Sequence, residues 1–139
     1  MDRLSSAIRK SFSPAAIAAC LIFFLLVGLS SSALAVRVKW TKTYNGADNS
    51  SDNGNGVAVG PDGSVYVTGR TLVIGQAANI WVRKYSPKGK VKWTKTYNGA
   101  DNSADQGRGV AVGPDGSIYV TGHTAVIDQE TNIWVRKYR

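Results

Sequence analysis

The feature that most constrains this chain is an internal repeat. Shifted by 53 positions, residues 38–86 align with residues 91–139 without a gap, and 39 of the 49 aligned pairs are identical. The segment VKWTKTYNGADNS stands unchanged at 38–50 and at 91–103. Repeats of this length are supersecondary units that bury their apolar faces against like neighbours, so the architecture to expect is a stack of similar units. The units are 38–90 and 91–139, and the connection SPKGK at 86–90 ends the first.

Each unit reads as four short strands. GVAVG (56–60) alternates valine with small residues, and GPDGS (60–64) carries the Pro and Asp-Gly signal of a tight turn. SVYVTGR (64–70) sets Val65 and Val67 on one face and Tyr66 and Thr68 on the other. After a loop to about Ala78, NIWVRKY (79–85) sets Ile80 and Val82 against Trp81, Arg83 and Tyr85. KVKWTKTY (90–97) closes the unit. Each strand has a two-residue period and β-favouring residues, and no segment beyond the leader has a helical period. Short strands, regular turns and this repeat length point to propeller blades or another β-repeat.

The pattern GVAVGPDGSVYVTGRT…NIWVRKYSPKGKVKWTKTY resembles the bacterial SBBP beta-propeller repeat, and DGSVYVTG (62–69) and DGSIYVTG (115–122) are its most specific parts. The resemblance covers nearly all of the chain after the leader, twice. It implies blades on exported or surface proteins and no catalytic residues.

With the strands of a blade labelled A to D, the order is D-A-B-C-D-A-B-C. The fold expected is all-β, with two four-stranded antiparallel propeller blades. One is complete, and one is split between 38–44 and the last three strands. Propellers have about 4–8 blades, so two repeats form a partial propeller or a ring completed by oligomerisation. The duplicated strand at 38–44 is expected to cover the bare edge of 132–138, in the same chain or in a neighbour, because an unpaired edge invites aggregation.

Residues 1–35 read as a secretory signal. Arg3, Arg9 and Lys10 lead into the apolar run AAIAACLIFFLLVGL, and SSSALA offers a cleavage site after Ala35. The localisation expected is secreted, periplasmic or at the cell surface, with membrane attachment only if the leader is uncleaved. Cys20 is the sole cysteine and lies in the leader, so residues 36–139 offer no disulfide, thiol nucleophile or thiolate metal site. From 36 onward 14 Lys/Arg stand against 8 Asp/Glu. These charges alternate with aromatic and β-branched residues instead of forming a block, and no nucleic-acid motif accompanies them, so no nucleic-acid partner is expected.

A function has few places to sit. The A–B and C–D turns are short. The D–A loop (45–55) and B–C loop (71–78) are long and share the other end of the blade. Eight of the ten differences between the repeats fall in or beside these long loops, among them Asn55/Arg108, Arg70/His123, Gly75/Asp128 and Ala77/Glu130. Variable loops on a rigid scaffold commonly carry binding, and exposed loops also tolerate change for no functional reason. The candidate ligand-binding residues are therefore Arg70, His123, Arg108, Asp128 and Glu130, joined by Trp81 and Trp134 as stacking platforms for a sugar. Strand tryptophans also serve as packing between sheets. Asp48, Asp52, Asp101 and Asp105 are weak calcium candidates. Counted from Asp48 and Asp101, the sixth place is Asn53 or Gln106 instead of glycine, and the twelfth is Val59 or Val112 instead of glutamate. No metal, cofactor or catalytic centre is expected. Asp62 and Asp115 sit in PDGS turns, and Ser64 and Ser117 have no base at a readable spacing. The reading is an interaction or scaffold module that self-associates to complete a ring and takes a glycan or protein ligand. The alternatives are a small oligomeric lectin-like propeller and a truncated propeller fragment.

Overall fold

The computed structural model describes residues 35–139. The leader and Cys20 lie outside the described residues, apart from Ala35 at the expected cleavage site. The β unit runs from Val38 to Arg139.

Among the described residues, seven strands form two antiparallel sheets. In sheet I, β1 (Asp52–Val59), β2 (Val65–Val73), β3 (Ala77–Tyr85) and β4 (Val91–Tyr97) pair in chain order. In sheet II, β5 (Gln106–Val112), β6 (Ile118–Thr124) and β7 (Asn132–Tyr138) do the same. The fold is all-β, as the two-residue periods predicted, with four and three strands in place of two sets of four.

The hairpin turns follow their sequence. Gly63, Gly89 and Gly116 have φ of 72°, 75° and 76°, a left-handed conformation that favours glycine. In both PDGS turns the aspartate organises the loop. Ser64 donates to Asp62 from its backbone N–H at 3.0 Å and from its hydroxyl at 2.8 Å. Ser117 does the same to Asp115 at 3.0 and 2.7 Å.

Two features lie beyond simple alternation. The first is a bulge near the start of the leading strand of each sheet, where Asn55 and Arg108 are left without a ladder partner. The bulge explains the glycine of each YVTG. A Cβ on Gly69 would overlap the carbonyl oxygen of Asn53, and one on Gly122 that of Gln106. The second concerns the expected strands and loops. β1 begins at Asp52, β2 extends to Val73 and β3 begins at Ala77, so strand replaces the end of the predicted D–A loop and most of the predicted B–C loop in the first repeat. The second repeat has no ladder at the positions matching Leu72↔Ala78 and Val73↔Ala77. Ala78 is buried and its carbonyl accepts the Asp105 N–H at 2.6 Å, whereas the matching Thr131 faces solvent.

The core lies between the sheets. Tyr66, Ile80 and Val82 of sheet I pack on Ile118, Val120 and Trp134 of sheet II, flanked by Trp93, Tyr97, Val110, Val112 and Tyr138. The fit is close enough that a Cβ on Gly107 would run into the Thr68 hydroxyl. Asn55, freed from the ladder by its bulge, donates from its side-chain amide to the Gly107 carbonyl at 2.8 Å and ties the sheets together.

The segment 38–44 corrects the expected strand order. It forms no ladder and does not pair with β7. It lies instead across the outer face of sheet I. Trp40 stacks on Tyr85 at 5.8 Å and donates its indole N–H to the Pro87 carbonyl at 3.1 Å. Tyr44 stacks on Trp81 at 4.9 Å. The physical reason is that this side chain set is built to lie on a sheet face. β4, identical in sequence, lies on sheet II in the same way, with Trp93 on Tyr138 at 5.8 Å and Tyr97 on Trp134 at 5.3 Å.

Ile80 is wholly buried between the sheets. Ile80→Ala should lower the unfolding free energy by about 2–5 kcal/mol. Urea denaturation followed by tryptophan fluorescence checks this, and an unchanged midpoint would contradict the packing described.

Candidate interaction surfaces

Three surfaces of the unit could meet another molecule: the loop end, the outer face of sheet I and the outer face of sheet II.

At the loop end the two long connections of each repeat are bound together by aspartates. Asp48 accepts the Ile74 N–H at 2.9 Å, and Asp101 accepts the Ile127 N–H at 3.0 Å. Asp52 accepts the Gly46 N–H at 2.6 Å. Asp105, with no exposed surface, accepts from the backbone N–H of Gly99 and from that of Ala125, the latter at 3.3 Å. The four calcium candidates thus act as backbone acceptors: Asp48, Asp101 and Asp105 hold the D–A connection against the B–C connection, and Asp52 closes the D–A connection on itself. Among the described residues no group of three or more His, Cys, Asp or Glu could hold a metal ion.

The candidate ligand residues divide among different places. Arg108 and His123 meet, with the guanidinium Nε donating to His123 Nδ1 at 3.5 Å. Asp128 and Glu130 are exposed on the connection after β6. Asp128 has φ of 61° where the first repeat has Gly75 at 79°, so the left-handed turn persists through the substitution. Arg70 belongs to a different neighbourhood on sheet I. Trp81 and Trp134 are 5% and 8% exposed, which corrects their reading as open stacking platforms. Tyr44 and the Arg83 guanidinium cover Trp81, with Arg83 at 4.3 Å from the Tyr44 ring and 5.0 Å from the Trp81 ring. Tyr97 and Arg136 cover Trp134, with Arg136 at 4.4 and 5.1 Å. These are cation–π layers between packed elements.

Arg70 and Trp81 line a cleft of about 190 Å³ between the 38–44 segment and the outer face of sheet I. Lys42, Tyr44, Asn53 and Val67 complete much of its wall. Sequence reasoning missed all four of these as site residues. The repeat carried the signal, since β4 performs the same covering role one repeat later. Gly54, Val67 and Trp81 of this wall match Gly107, Val120 and Trp134, which lie buried under sheet I. The cleft is therefore the counterpart of the inter-sheet core.

The opposite face, on sheet II, is apolar and open. Ile133, Val135 and Tyr119 are 88%, 66% and 41% exposed, and a shallow hollow of about 310 Å³ runs beside Tyr119 and Val135. On the outer face of sheet I, Val57 and Val59 are 66% and 65% exposed.

The turn end is charged and hydrogen-bonded. Hydrogen bonds from the Ser64 N–H and then its hydroxyl hold the Asp62 carboxyl below its ordinary value, helped by Lys84 at 3.7 Å. The Ser117 hydroxyl, then its N–H, does the same for Asp115. Lys84 is raised above its ordinary value, first by its hydrogen bond with Tyr66.

No protein-family model, curated protein or solved structure matches the chain.

Two predictions come from these contacts. Asp105→Ala leaves two backbone N–H groups unpaired beside a buried site and should cost about 1–3 kcal/mol. Asp101→Ala, at the exposed tip, should cost no more than about 0.5 kcal/mol. Paired urea titrations check the contrast. Because Asp62 and Asp115 have lowered carboxyl values, their contribution to stability is fully present above the ordinary 3.8 and is lost as pH falls below it. An Asp62→Asn, Asp115→Asn double variant should be less stable than the parent at about pH 6, with the gap narrowing as pH falls below the ordinary 3.8, read by thermal midpoints. A gap that does not narrow in acid would contradict the assignment.

Proposed function

We propose that this chain is an exported, non-catalytic interaction module built from propeller-type blades of the SBBP kind, with its binding surface at the loop end. The observation that carries the reading is the coincidence of variation and bracing. Most differences between otherwise near-identical repeats lie at or beside the two long connections, and the same connections are fastened by Asp48, Asp52, Asp101 and Asp105. A fixed frame with changed tips suits a surface that presents side chains to a partner. Asp48, Asp52, Asp101 and Asp105 accept backbone hydrogen bonds, which leaves these four in a framework role.

The blade reading is supported by the way a fourth strand continues one sheet while covering the face of the next. Export is supported by the order of charged, apolar and small residues in the leader. A protein or glycan ligand would meet Arg108, His123, Asp128 and Glu130, whose mixed charge and hydrogen-bonding capacity suit a polar partner. A lectin-like reading has one specific observation in its favour, the cleft whose wall Lys42, Asn53 and Trp81 share.

Photo-crosslinking residues placed at 123 and 128, and separately at 62 and 115, test the reading in producing cells. Crosslinks to other molecules should concentrate at 123 and 128. Crosslinks confined to 62 and 115, or none at either end, would overturn it. On a glycan array, binding lost in Lys42→Ala and kept in Arg108→Ala would move the site to the cleft.

A further inference from the structure

We infer that the open ends of this unit are complementary, and that the occupant of each is a second copy of the same chain. It would be joined head to tail, with segment 38–44 of one copy added as the fourth strand of sheet II in the other. The inference extends the blade reading above and is independent of what the loop end binds.

The first support is sequence identity between a formed pair and an unformed one. In sheet I, β3 carries NIWVRKY and pairs with VKWTKTY in β4. In sheet II, β7 carries the same NIWVRKY as an edge strand, and the same VKWTKTY lies at 38–44 without a ladder. A strand pair that forms once in this protein is chemically available a second time. The register transfers by the repeat offset. Ile80↔Tyr97, Val82↔Lys95 and Lys84↔Trp93 become Ile133↔Tyr44, Val135↔Lys42 and Lys137↔Trp40.

The second support is the exposure of faces that are buried one repeat away. Ile80 and Val82 are 0% exposed because sheet II covers them, while their counterparts Ile133 and Val135 are 88% and 66% exposed. The face that covers them in the chain has its own counterpart on the outer side of sheet I, where Val57 and Val59 match Val110 and Val112 of the core. An outer face of sheet I docked on the outer face of sheet II would therefore reproduce the internal interface. The cleft beside Trp81 is the space that the docked sheet fills.

The third support is what the 38–44 segment already does. β4 is at once the last strand of sheet I and the cover of Trp134 and Tyr138 on sheet II. Segment 38–44 performs the second task on Trp81 and Tyr85. Its outer edge has the first task still to perform. In the added strand, Arg136 would meet Thr41 as Arg83 meets Thr94, at 2.7 Å within sheet I. A pairing between two different patches is heterologous and leads to a ring or a filament. A ring of about 4–8 blades would take about two to four copies.

The test uses the purified chain. Light scattering after size exclusion, over a dilution series, should give a mass that is a multiple of one chain. Val135→Lys, a change at an exposed position, should reduce it to one chain without altering the β circular dichroism. A second measurement does not depend on that variant's folding. Lys42→Cys and Val135→Cys are made in separate Cys20→Ser chains, mixed, and treated with a short thiol crosslinker. Mass spectrometry should find residue 42 linked to residue 135. Thr43→Cys replaces Lys42→Cys as the register control and should link poorly, because it points to the opposite face. A folded chain that keeps the mass of one copy at every concentration would overturn the inference, as would an oligomer without the 42–135 link. If such a monomer still crosslinks through 123 and 128, the loop-end reading stands and only the assembly fails.

Discussion

The structure depends on one strand doing two jobs. β4 completes the hydrogen-bond ladder of sheet I through its edge, and through Trp93 and Tyr97 it covers Tyr138 and Trp134 of sheet II. Arg136 lies beside the contact of Tyr97 with Trp134, 4.4 Å from one ring and 5.1 Å from the other, so a cation with a planar face joins the aromatic pair. Because the same strand belongs to one sheet and lies on the next, the two sheets cannot separate without uncovering indole and phenol rings. The orientation of sheet II on sheet I follows from this bond, and the inter-sheet core of Ile80, Val82 and Val120 then closes around it.

The same constraint explains how much of the fold was legible beforehand. β2, β3, β6 and β7 were readable because each alternates β-branched or aromatic residues between Gly-bounded turns, and each meets different surroundings on its two sides. The PDGS turns were readable because aspartate and serine act within a few residues of one another. The starts of β1 and β5 were not. DNGN and QGRG look like loop sequence, and they become strand only because the neighbouring glycines, Gly69 and Gly122, let the bulged backbone come within contact. That is tertiary information carried by a residue some fifteen positions away. The 38–44 segment was misplaced for a related reason. Its letters specify a strand edge and a covering face equally, and only the position of the neighbouring sheet decides which of the two is in use.

The candidate site was legible in outline. The grouping of loop differences at one end follows from the antiparallel order of the strands, and the structure puts Arg108 against His123 there. What local sequence could not distinguish is a tryptophan that faces solvent from one that faces the next unit. Trp81 and Trp134 sit in the same alternating context as an exposed aromatic would, and the residues that cover them, Tyr44 and Tyr97, stand 37 positions before each in the chain. The aspartates were ambiguous in the same manner. Their spacing can serve a cation or a set of backbone amides, and the amides of Gly46, Ile74, Gly99 and Ala125 are the partners found.

Identical residues in the two repeats therefore have different physical lives. Ile80 is enclosed and Ile133 is 88% exposed, although each sits in the same NIWVRKY strand. A sequence under pressure only to fold these two sheets would be free to make the exposed copy polar, as edges and outer faces usually are. Here β7 retains the isoleucine and valine of β3 unchanged, although the connection just before it, 125–131, carries four of the ten differences. Recent duplication accounts for overall similarity between the copies. Within that similarity, the changes reach both outer faces, with Val65 beside Val59 and His123 beside Ile133, yet the valines and isoleucine that are buried in one repeat stay apolar in the other.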